Sequence, residues 1–212
     1  MAENRDINQI KLHRMIFFTD AVLAIILTLL VLELHLPELA DANSPMEMVH
    51  QLGHILPHIY AFLLCFLALA QCWLGFNSFF SLVEKYDDTL GALNTFMLLP
   101  LCLIPFACSI IGDYPDNSMS FVVFGGLYLI TSSTLTFMTN YMWKRKMFSP
   151  KMDAELFEKV ALKNQWLTPV IITLIIASAF ISTKLSLGLF FCLLIMWIYM
   201  MKYLKLTKEE KE

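Results

Sequence analysis

Charge is what this chain has least of. Only 16% of its 212 residues are Asp, Glu, Lys or Arg, where a soluble domain has about a quarter. That scarcity excludes an ordinary water-exposed globule. The formal net charge is -3, which lacks the basic excess a nucleic-acid partner would need. Metal-like cysteine spacing is also missing. Cys65, Cys72, Cys102, Cys108 and Cys192 all fall in apolar stretches and read as small hydrophobes rather than ligands or disulfides. No soluble insert, catalytic constellation or internal repeat stands out. The first apolar run has no small-residue cleavage site and carries Asp20 near its start, so it is expected to remain as a helix rather than to be cleaved as a signal peptide.

Apolar runs of membrane length are abundant. Hydrophobic residues make up 58% of the chain, and the mean hydropathy is +0.65. The expected fold is an all-α integral membrane protein with six transmembrane helices, at roughly 14–35, 55–80, 90–111, 119–142, 166–183 and 187–204. Each helix satisfies its own backbone hydrogen bonds, as a lipid surround requires. Residues 1–205 form one six-helix unit, and 206–212 form a short frayed tail. An amphipathic stretch at 150–165 is expected at the membrane interface or as an extension of helix 5.

Loop charges predict orientation. Arg5, Lys11 and Arg14 precede helix 1; Lys144, Arg145, Lys146, Lys151, Lys159 and Lys163 follow helix 4; Lys202, Lys205, Lys208 and Lys211 close the chain. With six spans these share one side, so both termini are expected in the cytoplasm. The net-acidic "EKYDD" at 84–88 falls on that same side and is the exception, although acidic residues count little in this rule.

Helix 1 carries the most informative pattern. At about 100° per residue, Ile25, Thr28, Leu29, Leu32 and Leu36 share a stripe that Arg14, Met15 and Val22 extend. Several copies around an axis would stack rings of Ile, Thr and Leu, and apolar rings narrow or gate a pore by dewetting. The same stripe also fits any buried membrane helix, whose threonine bonds to its own preceding turn. Asp20 lies about 140° round the helix from Ile25 and points away from such an axis. An acidic group within a span pairs or lines a polar route, and Asn94 of helix 3 lies at a similar depth. His35, above Thr28 on the stripe, would sit at an outer mouth with Leu36 and make conduction pH-sensitive. His50, His54 and His58 share four-residue spacing, but no "HExxH" accompanies them and Pro57 disturbs the turn, so no metal site is assigned. Gln71, Asn77 and "TSSTLT" at 131–136 complete the polar positions, the last favouring close helix packing.

These residues resemble the prokaryotic members of the TMEM175 family of potassium channels. The family's first helix opens with Arg, three variable residues, then Phe-Ser-Asp; here "RMIFFTD" supplies Arg14, Phe18, Thr19 and Asp20, with threonine for serine. "LNTFMLLPLCLIPF" at 93–106 is similar to the third helix, and "GDYPDN" follows it. The resemblance covers the six-span body and is strongest in helices 1 and 3. One departure stands in helix 2. The family has a tryptophan and, after two residues, paired histidines, whereas Trp73 is followed by Phe76 and Asn77 at those positions. Asn77 keeps a hydrogen-bonding group there; Phe76 does not.

The resemblance implies a homotetramer with a central pore lined by helix 1. Ile25, Thr28 and Leu32 would be the pore-lining positions, with Arg14, Thr19, Asp20, Asn77 and Asn94 as a supporting or gating network. The implied function is passive, potassium-selective cation conduction, with no resident cofactor and potassium as the permeant ion. The implied partners are membrane lipid and three further copies of the chain. A single six-span unit implies a prokaryotic plasma membrane, since the animal relative resembles two fused units. A secondary cation transporter and a non-conducting membrane structural protein are the rivals. The first would need repeats and broken helices around a mid-membrane site. A membrane-embedded enzyme would need convergent nucleophile, base or metal groups, and none is visible.

Overall fold

The computed structural model describes residues 2–35, 44–149 and 166–209, in which helices dominate. Helix α1 runs Ala2–Leu29 and tightens into a 3₁₀ turn at Leu30–Glu33. A short α2, Pro45–His54, precedes α3, Leu56–Phe80. Then come α4 (Asp88–Cys102), α5 (Ile104–Asp113) and α6 (Ser118–Lys144). The last two are α7, Leu167–Ser178, and α8, Thr183–Glu209.

Four stretches are long and apolar enough to cross a membrane: Ile7–Glu33, Leu56–Phe80, Asp88–Asp113 and Ser118–Lys144. They correspond to the first four of the six expected spans. Helix α7 has 12 residues, about 18 Å of rise against a hydrocarbon core of about 30 Å. The apolar part of α8 within the described side chains is Thr183–Met196. Two boundaries differ from expectation. Helix α1 begins twelve residues earlier, at Ala2 rather than Arg14, so the chain enters its first span already helical. The last helix continues through Glu209, past the point where fraying is expected. The amphipathic stretch 150–165 lies outside the described residues.

The expected third helix is broken at Leu103. Pro105 has no N–H to give the Leu101 carbonyl, so the helical ladder is interrupted there. The Leu103 N–H instead reaches the Pro100 carbonyl at 3.2 Å, and the Ala107 N–H restarts the ladder on Leu103. Together α4 and α5 still make one stretch long and apolar enough to cross a membrane.

Packing follows from which apolar faces meet. Helix α3 lies against α5, α4 against α6, and α6 against α7, with α1 resting on α3 and α4. The core runs through Leu23, Leu64, Met97, Leu101, Met138 and Met142, all fully buried. Gly125 lets α6 and α7 approach closely: a Cβ there would come within 2.5 Å of Ile176 Cγ1. Both ends of the bundle are tied. At one end Lys11 reaches Asp88 at 3.5 Å, and Val83 pairs with Phe148 in a single antiparallel bridge. At the other, His58 Nε2 lies 3.0 Å from Asp113, and its ring packs where Gly112 carries no side chain.

The exception in the loop charges has a local explanation. Each acidic residue of "EKYDD" has a partner. Glu84 accepts from the Ser149 hydroxyl at 2.5 Å. Asp87 caps α4 through the Leu90 N–H at 2.8 Å and accepts from the Tyr141 hydroxyl at 2.6 Å. Asp88 takes Lys11. This negative loop is a clasp between α1, α4 and the end of α6, so its acids are used in structure.

Candidate functional site

Helix α1 divides into two faces. Leu12, Met15, Thr19, Leu23, Ile26 and Leu30 are buried against the other helices. Their spacing of three and four residues is the seam of a packed helix. The other face is bare. Phe17, Phe18, Ile25, Leu29 and Leu32 are exposed, Ile25 at 58% and Leu32 at 61%. Of an apolar 18-residue stretch within Ile7–Glu33, 28% is buried, the lowest share among the four long apolar helices.

The stripe drawn from the sequence falls mostly on this bare face. Ile25, Thr28, Leu29, Leu32 and His35 are all exposed. Met15 does not extend it: it is buried at 8% and belongs to the seam. Val22 is half-buried at the boundary. Leu36 lies outside the described residues. The Thr28 hydroxyl donates to the Ile25 carbonyl one turn back, at 2.8 Å. Its proton is therefore committed to the helix, and its oxygen lone pairs remain outward.

The motif residues separate into distinct positions. Thr19 is 1% exposed and Asn94 is completely buried. Asn94 Nδ2 donates to Thr19 Oγ1 at 2.8 Å, and the Thr19 hydroxyl passes its own proton to the Met15 carbonyl at 3.0 Å. That chain joins α1 to α4 through the apolar core. Asp20, half-buried, accepts from Trp73 Nε1 at 3.0 Å, joining α1 to α3. Two neighbouring residues thus hold one helix against two different partners, and Asp20 points away from Ile25 as its angle requires. Asn94 pairs with Thr19 rather than with Asp20 itself.

Two expected network members, Arg14 and Asn77, and the motif residue Phe18 stand apart. Arg14 is exposed and makes no ion pair among the described residues. Phe18 is exposed. Asn77 is exposed, and its side chain makes no hydrogen bond among the described residues. Its neighbour Phe76, at 2% exposure, fills the core beside Phe80 instead. This stretch of α3 supplies apolar packing through Phe76, and Asn77 stays outside the network in which it was expected. The partner missed as a site residue is Trp73. An indole N–H on a membrane helix needs an acceptor, and that requirement was the available signal. A second buried pair, the Tyr128 hydroxyl donating to Gln71 Oε1 at 2.8 Å, ties α6 to α3. The hydroxyls of Thr131 and Thr134 turn back to carbonyls of their own helix, so "TSSTLT" packs.

The histidine triplet does not converge. His50 and His54 meet edge to face at 4.6 Å, while His58 belongs to the next helix and faces Asp113. Among the described residues no group of three or more His, Cys, Asp or Glu side chains is placed to hold a metal ion. The five cysteines are free thiols.

Comparisons with known proteins meet this geometry at the same residues. A family model described as endosomal/lysosomal potassium channel TMEM175 matches residues 14–105. These residues contain the bare face, Thr19, Asp20, Trp73 and Asn94. A protein of Chamaesiphon minutus named as a potassium channel is 28% identical over 185 residues, covering 84% of this chain and 89% of that one. A Rattus norvegicus protein named endosomal/lysosomal proton channel TMEM175 is 30% identical over 112 residues, 53% of this chain and 22% of its own length. The fold is shared with a crystal structure described as a lysosomal potassium-selective channel TMEM175 homolog from Chamaesiphon minutus. The TM-score is 0.75 at 24% identity, over 90% of this chain and 98% of the other.

Proposed function

We propose that this chain, whose residues 14–105 match the TMEM175 family model, is a potassium channel of that family and conducts passively through a homotetramer. The observation that carries the reading is the bare face of α1, where Ile25, Thr28 and Leu32 are exposed on the least buried of the long apolar helices. Four copies turning that face to one axis would cover it and complete the packing that a single chain leaves open.

The proposed pore works by partial dehydration. A ring of Ile25 side chains is narrow and offers no hydrogen bonds, so an ion must shed water to pass. Potassium holds its water less tightly than sodium and sheds it at smaller cost. The Thr28 oxygen, its proton bound to the Ile25 carbonyl at 2.8 Å, accepts the partly bare cation one turn further on. Leu32 forms a second apolar ring, and His35 and Leu36 the outer mouth. No carbonyl filter of the "TVGYG" kind occurs in the sequence, so selectivity by this route is modest. Thr19, Asp20, Asn94 and Trp73 serve as positioning residues that set the rotation of α1. Six spans with both termini in the cytoplasm of a prokaryotic cell complete the proposal.

Potassium and sodium flux from proteoliposomes tests it, using wild type and Ile25→Asn. Potassium-favouring flux is expected from wild type. The substitution should raise both fluxes and bring their ratio toward one. An unchanged ratio in a folded tetramer would remove Ile25 from the constriction, and saturable flux coupled to a second ion would favour a transporter.

A further inference from the structure

The end of α6 holds a cluster of cations away from the pore face. Lys144, Arg145 and Lys146 follow one another there, all exposed. The helix closes with the Lys146 N–H on the Trp143 carbonyl at 3.1 Å and the Met147 N–H on the Met142 carbonyl at 3.0 Å. This is the paired ending that places one residue in the left-handed region. Lys146 occupies that place with φ 53°, and among the described residues no other non-glycine has positive φ. Glycine adopts this conformation freely, while a residue with a Cβ is strained in it. The chain accepts that strain and keeps a charge at the turn.

The turn is also pinned. Met147 and Phe148 are buried. The N–H groups of Glu84 and Lys85 both reach the Met147 carbonyl, at 3.0 and 3.3 Å, and the Ser149 N–H reaches the Leu82 carbonyl at 2.8 Å. This pairing sets the backbone of the exposed Lys85 against Met147, the residue after Lys146. Among the described residues the nearby carboxylates are engaged elsewhere: Glu84 by Ser149, Asp87 by Leu90 and Tyr141, and Asp88 by Lys11. Among the described residues, none of Lys85, Lys144, Arg145 and Lys146 makes an ion pair. The Arg145 guanidinium lies over the Tyr141 ring, 5.6 Å from its centroid, and Trp143 and Tyr141 are half-buried at the same level. Aromatic residues at the end of a spanning helix mark the depth of the lipid headgroups.

We propose that Lys85, Lys144, Arg145 and Lys146 form a rigid site for the phosphate of anionic phospholipid headgroups in the leaflet at this end of the bundle. A membrane-bound phosphate is the fitting occupant because the aromatic residues place the cations at headgroup depth, where the bilayer itself supplies the ligand. Zwitterionic headgroups bring no net charge to meet them. The site is independent of conduction through the α1 face.

The test uses the purified full chain in detergent, titrated with phosphatidylglycerol or phosphatidylcholine, reading thermal unfolding and bound lipid by native mass spectrometry. Phosphatidylglycerol is expected to bind and to raise the unfolding temperature more than phosphatidylcholine does. The variant K144Q/R145Q/K146Q should lose affinity for phosphatidylglycerol on the order of a hundredfold and keep its behaviour in phosphatidylcholine. K146G separates charge from strain: it should unfold at a higher temperature than wild type in phosphatidylcholine, yet gain less from phosphatidylglycerol. If the triple variant fails to fold, K146G alone decides the matter. Equal shifts with the two lipids, or undiminished phosphatidylglycerol binding by the variants, would overturn the site. Inorganic phosphate producing the same shift as phosphatidylglycerol would assign the cluster to a soluble anion and overturn the lipid assignment.

Discussion

A buried amide left without a partner keeps its desolvation cost, because no water reaches the centre of a helix pack. Asn94 and Thr19 are in that position, both at or near zero exposure and bonded at 2.8 Å. Thr19→Val removes the acceptor and leaves the Asn94 amide stranded, so it should destabilise the protein by about 1–3 kcal/mol. Asn94→Ala removes the costly group along with the bond and should lose nearer to about 1 kcal/mol. Thr19→Ser keeps the oxygen and should stay close to wild type, which fits serine being the residue the resemblance leads us to expect there. Thermal unfolding of the three variants in one detergent checks the order. A Thr19→Val protein as stable as wild type would mean the pair does not hold α1 on α4. Asp20 differs: its acceptor role toward Trp73 is half-exposed, and water can replace the indole.

Helices here meet where small residues let them. Gly125 faces Ile176 across the α6–α7 contact with no room for a methyl group, since a Cβ would lie 2.5 Å from Cγ1 and 2.9 Å from Cδ1. Gly125→Ala should therefore push the short α7 off α6, at about 1–3 kcal/mol. Ile176→Ala in the same chain vacates the clashing atoms, so the double variant should be more stable than the sum of the two single changes predicts. Additive losses in denaturant or thermal unfolding would show that the two helices separate without strain. The stakes are greatest for α7, whose 12 residues rise only about 18 Å and so take much of their placement from the helices beside them. The break at Leu103 works in the other direction. Two prolines divide one crossing element, letting α4 follow α1 and α6 while α5 turns its face to α3.

The single chain leaves one apolar face uncovered. Its exposed apolar residues on α1, Phe17, Phe18, Ile25, Leu29 and Leu32, run along the helix that also carries Arg14, Thr19 and Asp20. Exposed apolar surface is ordinary for a protein in lipid, but Thr28 among it is not the choice for a lipid-facing position. We expect the protein in mild detergent to have the mass of four chains by light scattering, and Ile25→Asn to retain that mass while changing flux. A monodisperse monomer that still conducts would eliminate the shared axis, and with it the assignment of Ile25, Thr28 and Leu32 to a pore.

Much of this was readable from residue order alone. Long apolar runs dictate spanning helices because a lipid surround leaves the backbone no other partner; four of the expected six appear as stretches long and apolar enough to cross, three of them at nearly the expected bounds. Angular position on α1 also needs nothing but the helical repeat, which is why Ile25, Thr28 and Leu32 share a side and Asp20 leaves it. Other features depend on contacts between distant segments. A membrane helix is apolar all round, so hydropathy does not say which stripe packs; the seats that α3 and α4 offer placed Met15 inside and left Ile25 bare. The Trp73 N–H and the Asp20 carboxylate lie 53 positions apart, and no local pattern links them. Pro100 and Pro105 lie in a run read as one continuous helix, and the break at Leu103 emerged only in the structure. The clasp of Glu84, Asp87 and Asp88 looked like a misplaced acidic loop until Ser149, Tyr141 and Lys11 were brought to it. Local sterics and solvation act along the chain and can be read there; the satisfaction of buried polar groups is a property of the packed bundle, because their partners arrive from other helices.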